Sequence, residues 1–211
     1  MKNKTTKQSN QGVIIAIVLA VLWIIVTAIL GTLGYYEYNR DVFHLMIIIT
    51  VVTPTIIFGL LFTAFSNFRK WTQSLNIAML TLPHAWRTIG YLFLVQWFYG
   101  LLPAGFAAPA GFGDFIVGIA APFVAVAVWL QWKYAIKYAV VFHIFGAIDL
   151  ILAIVTGTSA FGVLPENLHM IDPLTAFPTV IIPVSFVPLL LMSHFMVFAK
   201  VVLDKKSKKQ V

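Results

Sequence analysis

The 211 residues contain no cysteine. This excludes disulfides, thiolate nucleophiles, Cys-ligated zinc and iron–sulfur clusters, while histidine and carboxylate chemistry stays open. Charge is equally scarce: Asp, Glu, Lys and Arg together make up 10% of the chain, less than half the roughly 25% usual in soluble domains. So thin a polar complement neither clothes a water-soluble globule nor keeps a chain disordered. Linear catalytic motifs are missing as well. The sequence holds no G-x-x-x-x-G-K-[ST] phosphate loop, no H-E-x-x-H and no G-x-S-x-G, which argues against a P-loop ATPase, a standard zinc protease and a nucleophile-elbow hydrolase. Ser193 and His194 are adjacent, but neighbours on a helix point about 100° apart and make no nucleophile–base pair.

What is present is apolar: 61% of residues, in long runs. Residues 13–33 carry no charge, and at 1.5 Å per residue such a run crosses a hydrocarbon core about 30 Å thick. It exceeds the 7–15 apolar residues of a signal peptide and lacks an A-x-A site, so it reads as an anchor. The same test predicts spans at 43–65, 83–102, 115–132, 138–156 and 177–202. The third is too short unless it starts near Pro83, with Arg87 snorkelling to the inner headgroups. The fold class predicted is all-α, a polytopic membrane bundle of six transmembrane helices. A β-barrel would alternate apolar and polar residues, and these runs do not. Domains follow as a basic tail over 1–12, the six-helix body over 13–203 and a Lys-rich tail over 204–211.

Loop charge supplies the orientation. With the N-terminus inside, 13 of the 14 basic residues fall on the cytoplasmic side and only Arg40 outside, the positive-inside pattern for both ends cytosolic. The net charge of +7 is therefore a topology signal, and no nucleic-acid partner is implied. The bilayer is the partner, with Lys205, Lys206, Lys208 and Lys209 suited to anionic lipid, and the location is the plasma (inner) membrane. Trp71, Trp86, Trp129 and Trp132 near the inner headgroups and Tyr35, Tyr36 and Trp97 near the outer agree with this layout. Residues 66–82 suggest an interfacial amphipathic helix, and the apolar outer loop 157–176 a cap on the bundle.

Candidate chemistry starts from Asp149, since an ionised Asp near a helix centre costs roughly 2.5–3.5 kcal/mol and faces the bundle interior or a hydrated cavity. Gly146, Asp149 and Ala153 share a face on which a neighbouring backbone can approach. Counting rise from the inner helix ends puts Asp149 at about 16 Å, Thr53 at about 18 Å, Gln96 at about 20 Å and Ser185 at about 22 Å. These four form an expected midplane proton or substrate pathway, with Gln96 the first-ranked partner of Asp149. The alternative is a protonated Asp149 serving as interhelical glue. A second polar layer nearer the cytoplasm holds His143 and His194 at about 8–9 Å and Arg87 at about 6 Å, with His84 near the interface. Paired histidines can ligate haem b axially, relay protons, belong to a metal site or simply be hydrogen-bonded; no metal ligand or cofactor is assigned from the sequence. The Gly- and Pro-rich stretch 100–114, including Gly111, Gly113 and Asp114, reads as an outer connection, either a re-entrant loop or a tight hairpin with Asp114 capping the fourth helix.

The function these features suggest is a small permease or proton-coupled transport component built on Asp149. The alternatives are a bis-His haem electron carrier and a structural or accessory subunit.

Overall fold

The computed structural model describes residues 2–37, 45–162 and 172–208, and side chains over 11–37, 46–157 and 173–204. Among the described residues the chain is a succession of helices joined by short turns, without a strand. Arg40 and Lys209 lie outside the described residues, and the side chains of Lys205, Lys206 and Lys208 lie outside the described ones. Among the described residues, five segments are long and apolar enough to cross a bilayer: Gln11–Thr32, Met46–Ala64, Ala104–Trp129, Ala135–Gly157 and Ile182–Asp204.

Helix α1 runs over Lys2–Thr32, so the stretch expected as a tail continues the first span as helix. Once a helix is nucleated, each added residue gains a hydrogen bond for one residue ordered. It ends where Gly34 adopts φ +71°. α1 stands at the edge of the bundle, where the Trp23 indole donates to the Val184 carbonyl (3.1 Å) and Thr27 shares a 2.6 Å hydrogen bond with Ser185. Pro188, four residues beyond Val184, has no N–H to offer that carbonyl.

α2 (Leu45–Ala64) is followed by α3 (Ser66–Ser74). The amphipathic helix expected over 66–82 is only this short piece. Asn76 then caps α4 (Ile77–Thr81), accepting from the Ala78 N–H at 2.8 Å, and Ile77, Ala78, Leu80 and Thr81 turn inward. The Lys200 ammonium closes the end of α3 by donating to the Gln73 and Leu75 carbonyls at 2.5 and 2.8 Å.

The expected third span is not one α-helix. α4 passes into a 3-10 helix over Leu82–Gly90 and then into α5 (Tyr91–Phe98). Pro83 cannot donate to the carbonyl four residues back. α5 stops at Gly100, φ +71°, with the Leu101 N–H reaching the Gln96 carbonyl at 2.8 Å, a glycine C-cap.

α6 spans Ala104–Trp129, which corrects the outer-connection reading of 100–114. The turn is confined to the residues around Gly100–Pro103, while Gly111, Gly113 and Asp114 lie inside a helix that also tolerates Pro109 and Pro122. Away from water the backbone has no better partner than its own ladder, so glycine loses much of its helix-breaking effect. α7 (Ala135–Gly162), α8 (Asp172–Thr175), a π-helical turn (Ile182–Phe186) and α9 (Val187–Lys208) complete the described chain.

The 3-10 helix and α5 lie antiparallel to α6: Gly118 meets the Thr88 backbone and Gly111 meets Leu94. They run parallel to α7, with Thr81 opposite His143 and Arg87 opposite Gly146. One apolar cluster, including Phe93, Leu102, Phe106 and Leu174, packs toward the α5–α6 turn, and another, including Ile77, Leu80, Ala139 and Val197, toward the opposite end. The polar groups lie between them.

Candidate functional site

The site is built on a spacing of three. Thr81, His84, Arg87 and Gly90 are all buried, and in a helix of 3.0 residues per turn, residues three apart stand in line. An α-helix would rotate each step by about 60°, spreading the four over half its circumference. The 3-10 segment therefore presents one straight polar edge to α6, α7 and α9.

Arg87 occupies the middle of that edge. Its Nε donates to Asp114 Oδ1 at 2.6 Å, its Nη1 to the Gly146 carbonyl at 2.9 Å, and its Nη2 to Asp149 Oδ2. The Arg87 side chain is 1% exposed, so the guanidinium is removed from lipid and water alike. One guanidinium faces two carboxylates, leaving one formal negative charge on the triad. Glycines make the approach feasible. A Cβ at Gly113 would collide with the Asp149 carboxylate, and one at Gly90 with Asp114.

Three imidazoles lie next to it. His84, His143 and His194 are each 2% exposed or less, and one ring nitrogen from each falls within 4.8 Å of the others. His143 Nδ1 and His194 Nδ1 are 2.7 Å apart, His143 Nε2 meets Thr81 Oγ1 at 3.0 Å, and His84 Nε2 meets Ser193 Oγ at 2.6 Å. Thr81 Oγ1 itself donates to the Ile77 carbonyl at 2.8 Å, so it accepts from His143 Nε2–H and leaves His143 Nδ1 as the bare nitrogen. His84 Nδ1 and His194 Nε2 are buried with no hydrogen-bond partner among the described residues. Gly146 joins the two clusters, since a Cβ there would meet His194 at 2.8 Å and Arg87 at 3.1 Å.

The expected residues are redistributed. Asp149 does bond across helices, but to Arg87, and Gln96 instead donates to Thr179 at 2.8 Å. Ser185 pairs with Thr27, and Thr53 is exposed on α2. The single midplane layer of Asp149, Gln96, Thr53 and Ser185 is thus not formed, because equal depth says nothing about which way a side chain faces. His143 and His194 share a level and also touch. His84, expected at the interface, joins them. Asp114 is buried in α6 rather than capping a helix. Ser193 serves His84, not its neighbour His194. A cleft of about 110 Å³, lined by Ile47, Val51, Phe93, Phe106 and Leu150 among others, has Asp114 as its charged wall residue.

Residues 42–202 match the family described as Domain of unknown function (DUF8737). The match takes in most of the chain and every residue of the two clusters, and the protein belongs to that family. No curated protein and no solved structure matches the chain.

Proposed function

We propose that this member of the family is a six-span protein of the plasma membrane with both ends cytosolic, working as a small permease or proton-coupled transport component. The segment α4, 3-10 helix and α5 supplies the sixth crossing. At 1.5 and 2.0 Å rise its contour is about 37 Å, enough for a hydrocarbon core of about 30 Å. Its direction, antiparallel to α6 and parallel to α7, is the one an alternating chain requires. Basic residues gathered on one side support the orientation.

The observation that carries the transport reading is the buried triad, in which Arg87 balances one of two carboxylates. An uncompensated charge at this depth is costly, and a single proton shared by Asp114 and Asp149 neutralises the set. Intramembrane carboxylates of this kind serve as proton relays in pumps and transporters. The cleft that has Asp114 in its wall is the access route this reading uses, in place of the glycine-rich loop expected from sequence. Haem between His143 and His194 has less support, since an axial pair holds iron and macrocycle between its nitrogens and these two hydrogen-bond directly.

Infrared titration of the purified protein in lipid tests the proton site. A protonated carboxylic C=O band that grows as pH falls is expected in the wild type and is lost or displaced in Asp149→Asn. In proteoliposomes carrying an internal pH dye and a potassium diffusion potential, Asp149→Asn should also abolish potential-driven proton entry. An unchanged band and unchanged proton entry in a correctly folded Asp149→Asn protein refute the reading and leave the triad as a packing device.

A further inference from the structure

The three-histidine cluster is not used by the proton reading, and its chemistry points elsewhere. Neutral imidazole is the common protein ligand for first-row transition ions. Catalytic zinc sites take three protein ligands and keep a fourth position open, with Zn–N near 2.0–2.1 Å. We propose that His84, His143 and His194 form a binding site for one Zn2+-class divalent transition ion, with His84 Nδ1, His143 Nδ1 and one nitrogen of His194 as ligands.

Independent features of the site converge on this assignment. The first is tautomeric: the Ile77–Thr81–His143 chain commits the Nε2 of His143 as donor, so its Nδ1 turns a lone pair into the cluster. The second is the pair of unpartnered nitrogens, His84 Nδ1 and His194 Nε2, each buried. Leaving a buried polar atom without a partner is costly, and a metal ion removes that cost. The third is the outer shell. Metal-ligating histidines usually anchor their second nitrogen on a neighbouring group, and Thr81 and Ser193 do this for His143 and His84.

The fit is also suitable. The Arg87 guanidinium faces the cluster across Gly146, and Asp114 and Asp149 pair that cation, so it does not stand uncompensated beside a divalent ion. Ligands of a tetrahedral ion with bonds of 2.0–2.1 Å stand about 3.3 Å apart, whereas His143 Nδ1 and His194 Nδ1 are at 2.7 Å. Since His143 Nδ1 is bare, His194 Nδ1 carries the proton of their hydrogen bond and His194 Nε2 holds the lone pair; loading through Nε2 turns that ring, while loading through both Nδ1 atoms moves the His194 proton to Nε2 and opens the pair by about half an ångström. Oxygen-seeking Ca2+ and Mg2+ find no carboxylate in the set and are disfavoured.

The experiment uses the full chain in nanodiscs, free of any histidine tag, stripped with chelator and titrated with ZnCl2. Elemental analysis after desalting should find one Zn2+ per chain, and CoCl2 should give the intense visible bands of a tetrahedral ion. His84→Ala, His143→Ala and His194→Ala should each weaken Zn2+ binding by more than about 100-fold, beyond the 10–100-fold typical of outer-shell changes. Thr81→Val retains all three imidazoles and should weaken it by about 10-fold, so the assignment can be judged even where a histidine variant fails to fold. A wild-type protein that retains no Zn2+ and gives no tetrahedral cobalt spectrum overturns the proposal. So does undiminished binding in the folded histidine and Thr81 variants.

Discussion

Two glycines inside membrane-crossing helices allow one chemical change to be read against two environments. Gly59 lies in α2, and a Cβ built there meets nothing within 4 Å among the described residues. Gly113 lies in α6, and its Cβ would fall on the Asp149 carboxylate. Alanine is favoured over glycine in a helix by about 0.8–1 kcal/mol in water and by less where no water competes for the backbone, and this gain is common to both sites. At Gly59 it is the whole effect, so Gly59→Ala should stabilise by at most about 1 kcal/mol. At Gly113 the methyl has no room. Overpacking costs about 1–3 kcal/mol, and if the carboxylate is driven off Arg87 the loss approaches the 3–5 kcal/mol of a broken buried pair. With the helix gain set against these costs, Gly113→Ala should lie between about neutral and about 5 kcal/mol destabilised. The gain cancels between the two variants, so Gly113→Ala should be the less stable of them by at least about 1 kcal/mol. Unfolding in mixed micelles by stepwise SDS addition, followed by circular dichroism, measures both against the wild type. Equal shifts, or a stabilised Gly113→Ala, would refute the placement of Asp149 against α6.

Two further outcomes are expected in the same unfolding assay. Arg87→Met strands two buried carboxylates and should cost about 3–5 kcal/mol; adding Asp149→Asn should recover at least about 1 kcal/mol, and no recovery would mean that Asp149 is not the partner. Gln131, at φ 54°, holds a left-handed conformation that costs a non-glycine residue about 1–2 kcal/mol, so Gln131→Gly should stabilise by about 1 kcal/mol, and a loss of stability would count against that backbone conformation.

Architecture was legible because it depends on quantities that a sequence carries linearly. Run length and the scarcity of charge gave an all-helical chain with crossings near residues 13–33, 43–65, 115–132, 138–156 and 177–202, and five helices answer to them. Asp149, Arg87, His143 and His194 also stood out from composition alone, because polar groups amid apolar runs must find partners. Which partners they find depends on azimuth, and here a 3.6-residue period misleads. On the rise of an α-helix Arg87 lies only about 6 Å deep, which ranks it behind Gln96 as a partner for Asp149, and His84 lies near the interface. The 3-10 segment rises 2.0 Å per residue and keeps every third residue in line. Pro83 was the available signal, together with the buried series Thr81, His84, Arg87 and Gly90. The stretch 100–114 misled in the opposite sense. Its glycines were read as breaking a helix, whereas in α6 they are contact points for Leu94 and Asp149.

Runs of 3-10 helix longer than three or four residues are uncommon because their hydrogen bonds are poorer, yet this one extends over nine. Its retention is understandable from the work that a single edge performs. Thr81 orients His143, His84 completes the imidazole cluster, Arg87 ties α6 to α7 through Asp114 and Asp149, and Gly90 admits Asp114. Rewound as an α-helix, the segment would turn Arg87 by about 60° relative to His84. Either the charged triad or the histidine cluster would then lose its member from this segment. Both losses are expensive, a stranded buried charge at about 3–5 kcal/mol and unpaired imidazole nitrogens at about 1–3 kcal/mol each. The strained helix type is therefore stabilised by the polar groups it aligns.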